Sequence, residues 1–191
     1  MKHSFFAYIF RMRYIARWAL MRNTRTENVE EHSYEVAVLA HALAVIGREV
    51  FGRDVSPDRA AAAALFHDAP EIITGDMPTP IKYYNPELKN AYKQVEAVAQ
   101  EKLLSQLPEA LRGSYAPLLC EEDAEIRRCV KAADKLAAYL KCQEELKAGN
   151  REFARASDET LSALHAMQME EAEYFLEHFG AAFGMTLDDL G

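Results

Sequence analysis

The chain has 191 residues, half of them apolar, and its 22 basic and 30 acidic side chains give a net charge of −8. This length and composition suit one folded domain with a sizeable core and exclude an intrinsically disordered chain. The acidic balance argues against a nucleic-acid polymer as partner, because phosphate backbones are bound by basic surfaces.

The N-terminal segment differs from the rest in its charge. Residues 1–26 carry six basic side chains and no acidic one, which suggests a small anionic ligand, although a solvated face would explain the charge equally well. The apolar run SFFAYIF is too short for a signal-peptide core and is followed at once by Arg11 and Arg13. No apolar run reaches the roughly 20 residues that cross a bilayer. We therefore expect a cytoplasmic protein with no membrane partner.

Apolar residues recur at helical spacing along nearly the whole chain. Near the N-terminus this period includes Phe5, Ile9, Met12 and Ala16. Further helices are predicted at about 28–47, 57–73, 87–107, 123–148 and 157–180. No run of alternating β-branched residues predicts a sheet. The predicted fold is an all-α helical bundle in which residues 1–191 form a single domain.

The helix predicted at 57–73 has clear signals at both ends. Ser56 is a typical N-cap, and Pro57 suits the first helical position. After the helix, Gly75 and the prolines at 78, 80 and 86 predict a loop from about Thr74 to Pro86. A loop this long in a compact domain is often functional.

The helix predicted at 28–47 places a histidine among apolar residues. His32 shares one face with the apolar residues Val36, Leu39, Ala40 and Leu43 and is therefore expected to point inward. His41 should point the other way and have a structural or surface role.

A carboxylate interrupts the apolar stripe of the helix predicted at 57–73. Asp68 continues a stripe made by Ala61, Ala64, Leu65 and Ile72. An ionised carboxylate in such a place must be paired, hydrogen-bonded or bound to a metal ion. His67 is its neighbour, and Glu71 is one turn further on, so these side chains can all edge a single cavity.

Asp134 is the third anomaly, since it stands among alanines in CVKAADKLAAYLKC, where small neighbours let other groups approach. Each of these polar residues alone is usually structural. Together, His32, His67, Asp68 and Asp134 supply two imidazoles and two carboxylates from three helices. This donor set suits Mn²⁺, Fe²⁺, Co²⁺, Ni²⁺ or Zn²⁺ and leaves coordination positions for water and a substrate oxygen.

The three cysteines predict neither a disulfide framework nor a thiolate zinc site. Cys120, Cys129 and Cys142 are odd in number and have no C-x-x-C spacing.

The order H…HD…D on helices resembles the HD superfamily of metal-dependent phosphohydrolases. The segments RWALMRNTRTENVEEHS, HDAPEIITGDMPTPIKY and ADKLAAYLKCQEEL are similar to the bacterial 5′-deoxynucleotidases of the YfbR type over most of the chain. This resemblance implies a homodimer that hydrolyses 2′-deoxyribonucleoside 5′-monophosphates to deoxynucleoside and phosphate. It also implies little preference among bases, discrimination against ribonucleotides, and one divalent cation (Co, Mn, Zn, Ni or Fe) per subunit.

The resemblance also implies roles for individual residues. The implied metal ligands are His32, His67, Asp68 and Asp134. The implied substrate contacts are Arg17, Trp18, Asp76, Met77, Pro78 and Thr79, together with His32, Asp68 and Asp134. The implied catalytic residues are Glu71 and Asp68.

A mechanism can be assembled from these residues as a hypothesis. Water activated by the metal would attack phosphorus in line with the 5′-oxygen, and Glu71 would deliver a proton to that leaving oxygen. The guanidinium of Arg17 suits the phosphate. Trp18 would pack on the sugar or hold the arginine, although a core aromatic is an equal alternative. Asp76 would accept a hydrogen bond from a sugar hydroxyl or merely cap its own turn.

Three alternatives remain open. An HD phosphodiesterase or nucleoside triphosphate hydrolase should have more cations near the metal, whereas RTENVEEHS turns acidic after Arg25. A two-iron HD oxygenase would need more inward histidines than the six in the chain supply. A non-catalytic nucleotide-sensing HD module would be favoured by loss of a ligand or of Glu71, and none is lost. The sequence also leaves open the metal, the dimer interface and whether Glu71 or Asp76 is the main proton donor.

Overall fold

The computed structural model describes residues 3–78, 81 and 84–191, and helices are the regular elements of this part of the chain. They are α1 (Phe5–Ile9), α2 (Val29–Phe51), α3 (Pro57–Phe66), α4 (Glu71–Thr74), α5 (Pro86–Ser105), α6 (Glu109–Leu119), α7 (Ala124–Lys147), α8 (Ala154–His165) and α9 (Glu170–Phe179). The described residues contain no strand beyond a single antiparallel bridge between Ala16 and Asn28. The all-α prediction is confirmed. None of the helices in the described ranges combines the length and apolar character that a bilayer crossing requires.

Helix α2 forms the centre of the bundle and packs against α3, α7 and α9. Its start is a capping box, in which Asn28 and Glu31 each bond the other's backbone N–H through their side chains, and it ends at Gly52, whose φ of 66° is left-handed. The face predicted to point inward is buried along α2 from His32 to Leu43, whereas His41 is exposed. The orientation expected for both histidines is therefore confirmed.

The prediction of one continuous helix at 57–73 is wrong. Helix α3 ends at Phe66, a turn covers residues 67–70, and the short α4 begins at Glu71. Pro70 explains the break, because it has no N–H to donate and its ring would clash with the carbonyl of Phe66. The stripe argument also fails for Leu65, whose side chain is exposed.

Two further helix boundaries differ from the prediction. The segment 157–180 holds two helices, α8 and α9, separated at Gln168, whose φ of 48° is incompatible with a continuing helix. Helix α6 was not predicted, because Gly113 and Pro117 obscure its helical pattern. Near the N-terminus the helical period also overreaches, since Ala16 lies in the extended bridge rather than in a helix.

The buried apolar residues form two clusters. The larger cluster joins α2, α3, α7, α8 and α9, and many of its members are alanines of α3 and α7. The smaller cluster joins α1, the end of α5 and α6, and it includes Val29 and Ala69. Small side chains in α3 and α7 let these helices approach α2 closely, so that residues distant in sequence come together.

Candidate metal centre

His32 lies on the first turn of α2 and is completely buried. Its Nε2 is 3.1 Å from Asp134 Oδ1 on α7 and 3.7 Å from Asp68 Oδ2 after α3. Its Nδ1 is 3.2 Å from Oε1 of Glu27, in the loop before α2. One nitrogen of the ring therefore faces the two predicted carboxylate ligands, and the other faces a third carboxylate.

His67 follows α3 and is oriented by the backbone. Its Nδ1 donates to the carbonyl oxygen of Ala64 at 2.7 Å, so the lone pair of the neutral ring lies on Nε2. That Nε2 is 3.1 Å from Asp68 Oδ2 and, among the described residues, is buried with no hydrogen-bond partner. A buried, unbonded nitrogen lone pair beside a carboxylate is what a metal ligand offers before it binds its ion.

The structure brings three of the four sequence-predicted ligand residues together, and the fourth contacts one of them. One ligand atom each from His32, His67 and Asp68 lie within 4.8 Å of one another, and Asp134 joins them through its contact with His32. Two imidazole nitrogens and two carboxylates are a donor set for a borderline or hard divalent cation rather than for copper(I). The residues present therefore fit a divalent metal ion.

The charges at this cluster depend on the mutual contacts of its members. Burial and the Arg17 guanidinium lower the pKa of His32, but contacts with the carboxylates of Asp134 and Glu27 outweigh them and raise it to about 9. Burial would raise the pKa of Asp68, but the His67 imidazole, whose Nε2 is 3.1 Å away, brings it down to about 2. Burial also opposes ionisation of Asp134. Its contact with His32 nevertheless keeps the pKa of Asp134 well below its usual range. Both carboxylates are thus ionised near neutral pH and available to a cation.

Arg17 and Trp18 reach this cluster from a strained turn in the loop before α2. A terminal nitrogen of Arg17 lies 3.5 Å from Asp68 Oδ2. Trp18 has a φ of 56°, a left-handed conformation that is unfavourable for a bulky side chain. The indole N–H donates to Glu27 Oε2 at 2.8 Å, and its ring packs on Phe153 with centroids 5.3 Å apart. Because its indole is fixed by Glu27 and Phe153, Trp18 fits a residue that holds the neighbouring Arg17 in place.

Glu27 is a site residue that the sequence analysis missed. Its carboxylate is buried and contacts Arg17, Trp18 and His32. Burial would raise its pKa, but these partners lower it. Helical periodicity could not identify Glu27, because it precedes α2. The available signal was its place as the first acid after a segment that carries only basic charges.

A buried ion pair ties the loop before α2 to α7. Lys141 Nζ donates to Glu145 Oε1 at 2.5 Å and to the Arg25 carbonyl oxygen at 2.6 Å. Glu145 is fully buried and also accepts from the Thr24 backbone N–H at 2.9 Å and from Asn150 at 2.8 Å. Burial would raise the pKa of Glu145, but these donors hold it well below the usual range. The loop therefore has a firm anchor a few residues from Trp18.

The remaining predicted site residues lie in or after α4. Glu71 is buried at the start of α4, and its backbone N–H donates to the Asp68 carbonyl oxygen at 2.9 Å, which keeps the two residues on one turn. Asp76 is half-buried, and burial together with the charge of Asp68 raises its pKa against the opposing effect of Arg17. Met77 and Pro78 are half-buried residues of the following loop. Thr79 lies outside the described residues.

The three cysteines are free thiols, Cys120 exposed and Cys129 and Cys142 buried. The sequence prediction that they form no disulfide framework is consistent with this placement.

Comparison with known proteins gives consistent matches over nearly the whole chain. A family model described as 5′-deoxynucleotidase YfbR-like matches residues 4–183. The chain is 50% identical over 194 residues to a 5′-deoxynucleotidase of Erwinia tasmaniensis, covering 100% of this chain and 98% of that protein. It is 49% identical over 193 residues to the 5′-deoxynucleotidase YfbR of Escherichia coli, covering 100% and 97%.

Solved structures show the same fold at lower sequence identity. An HD-domain phosphohydrolase from Listeria innocua superposes with a TM-score of 0.80 at 25% identity, over 95% of this chain and 88% of that one. The HD phosphohydrolase of cyanophage S-2L, solved with dA and one catalytic Zn²⁺ ion, gives a TM-score of 0.69 at 22% identity, over 94% and 96%. At 22% identity, the similarity to the cyanophage protein shows a shared fold alone.

Proposed function

This chain belongs to the 5′-deoxynucleotidase YfbR-like family of hydrolases, and we propose that it hydrolyses 2′-deoxyribonucleoside 5′-monophosphates to a deoxynucleoside and phosphate. The resemblance inferred from sequence is confirmed at the level of the family. The observation that carries the proposal is the cluster of His32, His67, Asp68 and Asp134 with the Arg17 guanidinium 3.5 Å from Asp68. This arrangement combines a cation site with a fixed positive group, which is what transfer of a phosphoryl group to water requires.

We propose that the divalent cation is held by His32 Nε2, His67 Nε2, Asp68 and Asp134, one ion per subunit. When bound, such an ion activates water and polarises a phosphoryl oxygen. The donor set suits Co²⁺, Mn²⁺, Zn²⁺, Ni²⁺ or Fe²⁺. The catalytic zinc of the cyanophage relative supports a divalent cation in this fold.

Arg17 is proposed to bind the substrate phosphate. Burial opposes its charge, but Asp68, Asp134 and the other nearby carboxylates raise the pKa of Arg17, so it stays cationic. The guanidinium is largely desolvated between Glu27 and Asp68, where a phosphate oxygen near the metal ligands would accept from it. His32, Asp68 and Asp134 line the same space and are therefore also placed against the phosphate.

Glu71 is proposed as the residue that delivers a proton to the departing 5′-oxygen. It is buried one turn after the proposed ligand Asp68, which suits a residue that acts beside the metal. Asp68 completes the catalytic pair, since its carbonyl oxygen accepts from the Glu71 N–H and keeps the two residues on one turn. Asp76 is the other candidate donor, since its pKa is raised.

The nucleoside is proposed to lie against Trp18 and the segment from Asp76 to Thr79. Trp18 offers a ring face for the sugar, and Asp76 offers an acceptor for a sugar hydroxyl. Contacts of this kind leave the base largely unread, which agrees with low base specificity. Rejection of ribose requires a pocket that leaves the 2′-hydroxyl without room or partner.

The remaining proposals concern assembly and location. We propose that residues 1–191 form one HD phosphohydrolase domain, which the family match over 4–183 supports. A homodimer and a cytoplasmic location stay predictions of the sequence analysis.

The decisive experiment measures phosphate release from dAMP and AMP across Co²⁺, Mn²⁺, Zn²⁺, Ni²⁺ and Mg²⁺, with Asp68→Asn as the inactive control. We expect release from dAMP, little from AMP, and none from the variant. Equal release from the two substrates would contradict the discrimination against ribonucleotides. Pyrophosphate release from dATP without phosphate release from dAMP would instead identify a triphosphate hydrolase.

A further inference from the structure

Glu27 contacts three groups of the proposed site with a single carboxylate. Its Oε2 accepts a hydrogen bond from Trp18 Nε1 at 2.8 Å. Its Oε1 lies at ion-pair distance, without hydrogen-bond geometry, from His32 Nδ1 (3.2 Å) and Arg17 Nε (3.5 Å). We propose that Glu27 is a positioning residue that fixes the metal ligand His32 and the substrate-binding pair Arg17 and Trp18 together. The proposal rests on the proposed function for the role of Arg17 and Trp18, and on the metal-ligand geometry for the role of His32.

The first part of the proposal concerns the orientation and tautomer of His32. A metal ion at Nε2 would displace the proton that the metal-free imidazole carries there, and the carboxylate beside Nδ1 favours keeping the remaining N–H on that nitrogen. The lone pair is then on Nε2, which faces Asp134 at 3.1 Å and Asp68 at 3.7 Å. A carboxylate that orients a ligating histidine strengthens metal binding, and its removal typically costs about 10–100-fold in affinity.

The two histidines of the cluster differ in what orients them. His67 donates through Nδ1 to the backbone carbonyl of Ala64, which no side-chain substitution removes. His32 relies on the side chain of Glu27, because Nδ1 faces that carboxylate at 3.2 Å. Changing Glu27 therefore disturbs one metal ligand and leaves the other oriented.

Glu27 also stabilises the strained turn at Trp18. Trp18 has a φ of 56°, which persists only where surrounding contacts compensate the strain. The Glu27 carboxylate bonds the indole, and the Glu27 carbonyl oxygen accepts from the Arg17 backbone N–H at 3.0 Å. Both contacts hold the turn that presents Arg17 toward Asp68. Only the first depends on the Glu27 side chain.

The isosteric variant Glu27→Gln tests both parts without leaving a cavity. An amide accepts through one oxygen only, and its NH₂ group would face a donor on either the Trp18 side or the His32 and Arg17 side. One set of contacts must therefore be lost. Glu30→Gln is the matched control, because Glu30 lies three residues further on and pairs with Arg13 on the surface, away from the cluster.

Three measurements are made on both variants and on the wild-type protein. They are Mn²⁺ affinity by calorimetry, the emission of Trp18, which is the sole tryptophan of the chain, and kcat and KM for dAMP at saturating Mn²⁺. For Glu27→Gln we expect Mn²⁺ affinity to fall about 10–100-fold. We also expect Trp18 emission to shift to longer wavelength and KM to rise more than kcat falls. Glu30→Gln should match the wild type in all three.

The outcomes separate this proposal from the proposed function. Wild-type Mn²⁺ affinity in Glu27→Gln would overturn the role in orienting His32. Lowered affinity with unchanged Trp18 emission and KM would overturn the link to Arg17 and Trp18. If the wild-type protein released no phosphate from dAMP, the proposed function would fail, yet the metal titration and the emission would still decide whether Glu27 joins the two halves.

Discussion

His32 and Asp134 are 102 positions apart in the chain, and Nε2 of the histidine lies 3.1 Å from Oδ1 of the aspartate. The contact exists because α2 and α7 pack side by side, with Ala133 and Ala137 buried next to Asp134. A carboxylate and an imidazole held this close can share a cation.

Asp134→Asn should weaken metal binding, because it replaces an anionic ligand with a neutral one. A ligand that binds only the folded state at a hundred times its Kd stabilises it by about 2.7 kcal/mol. We therefore expect Mn²⁺ to raise the Tm of the wild-type protein measurably and that of Asp134→Asn little or not at all. Thermal unfolding with and without EDTA measures this. Asp158→Asn, an exposed aspartate on α8, should respond to Mn²⁺ as the wild type does.

Metal affinity should rise with pH. Because the pKa of His32 is raised to about 9, the metal-free protein carries a proton there at neutral pH, and a cation must displace it. Displacement of one proton predicts about a tenfold gain in affinity per pH unit from pH 7 until about pH 9. Conversely, the stability that protonated His32 gives the metal-free protein is complete below about pH 6.5 and is lost as the pH rises through about 9.

Calorimetry in buffers of different ionisation enthalpy counts the released protons directly. About one proton per Mn²⁺ is expected at pH 7, and no release would contradict a protonated His32. His41→Gln removes an exposed imidazole and should leave the count unchanged.

Glu71→Gln should lower kcat by about 10²–10⁴ while the metal stays bound, because the amide cannot deliver a proton. Steady-state hydrolysis of dAMP and calorimetry with Mn²⁺ measure the two effects separately. Glu159→Gln, an exposed change on α8, should leave both unaltered. Turnover equal to that of the wild type would remove Glu71 from the mechanism, and loss of Mn²⁺ affinity would assign it to the metal instead.

Glu145→Ala should destabilise the fold by about 3–5 kcal/mol, since it leaves the Lys141 ammonium buried without its carboxylate. Denaturant unfolding at pH 7 measures this difference. The exposed pair of Arg155 and Glu159 is the control, and Glu159→Ala should cost less than about 1 kcal/mol. A cost for Glu145→Ala as small as the control's would mean that the loop before α2 has no anchor at this ion pair.

The ion pair of Lys141 and Glu145 also makes the stability of the fold depend on pH. The Glu145 pKa is lowered in the folded protein, so its stabilisation is present above the unfolded value of about 4.3 and is lost as pH falls through the lower folded value. The stability gap between the wild type and Glu145→Ala should therefore narrow below about pH 4. A gap that widened on acidification would contradict this sign.

Local patterns in the sequence determined much of the fold. The helical period predicted α2, α5 and α7 and the inward position of His32, because one buried face imposes that period on any amphipathic helix. The same reasoning was wrong at 57–73, where Pro70 ends α3 despite a continuing apolar pattern. The order H…HD…D also predicted the four residues of the cluster as metal ligands.

Tertiary structure alone decided how these residues meet and which others join them. The contacts of Glu27 with Arg17, Trp18 and His32 depend on the left-handed turn at Trp18 and on the anchor of that loop to α7. Neither leaves a periodic signal, since a loop residue acquires its burial and partners from packing across the bundle. The sequence by itself determined the helices and the candidate ligands, because both follow from short-range patterns. Only the fold decided the distances between them and the role of Glu27, because those depend on contacts between segments far apart in the chain.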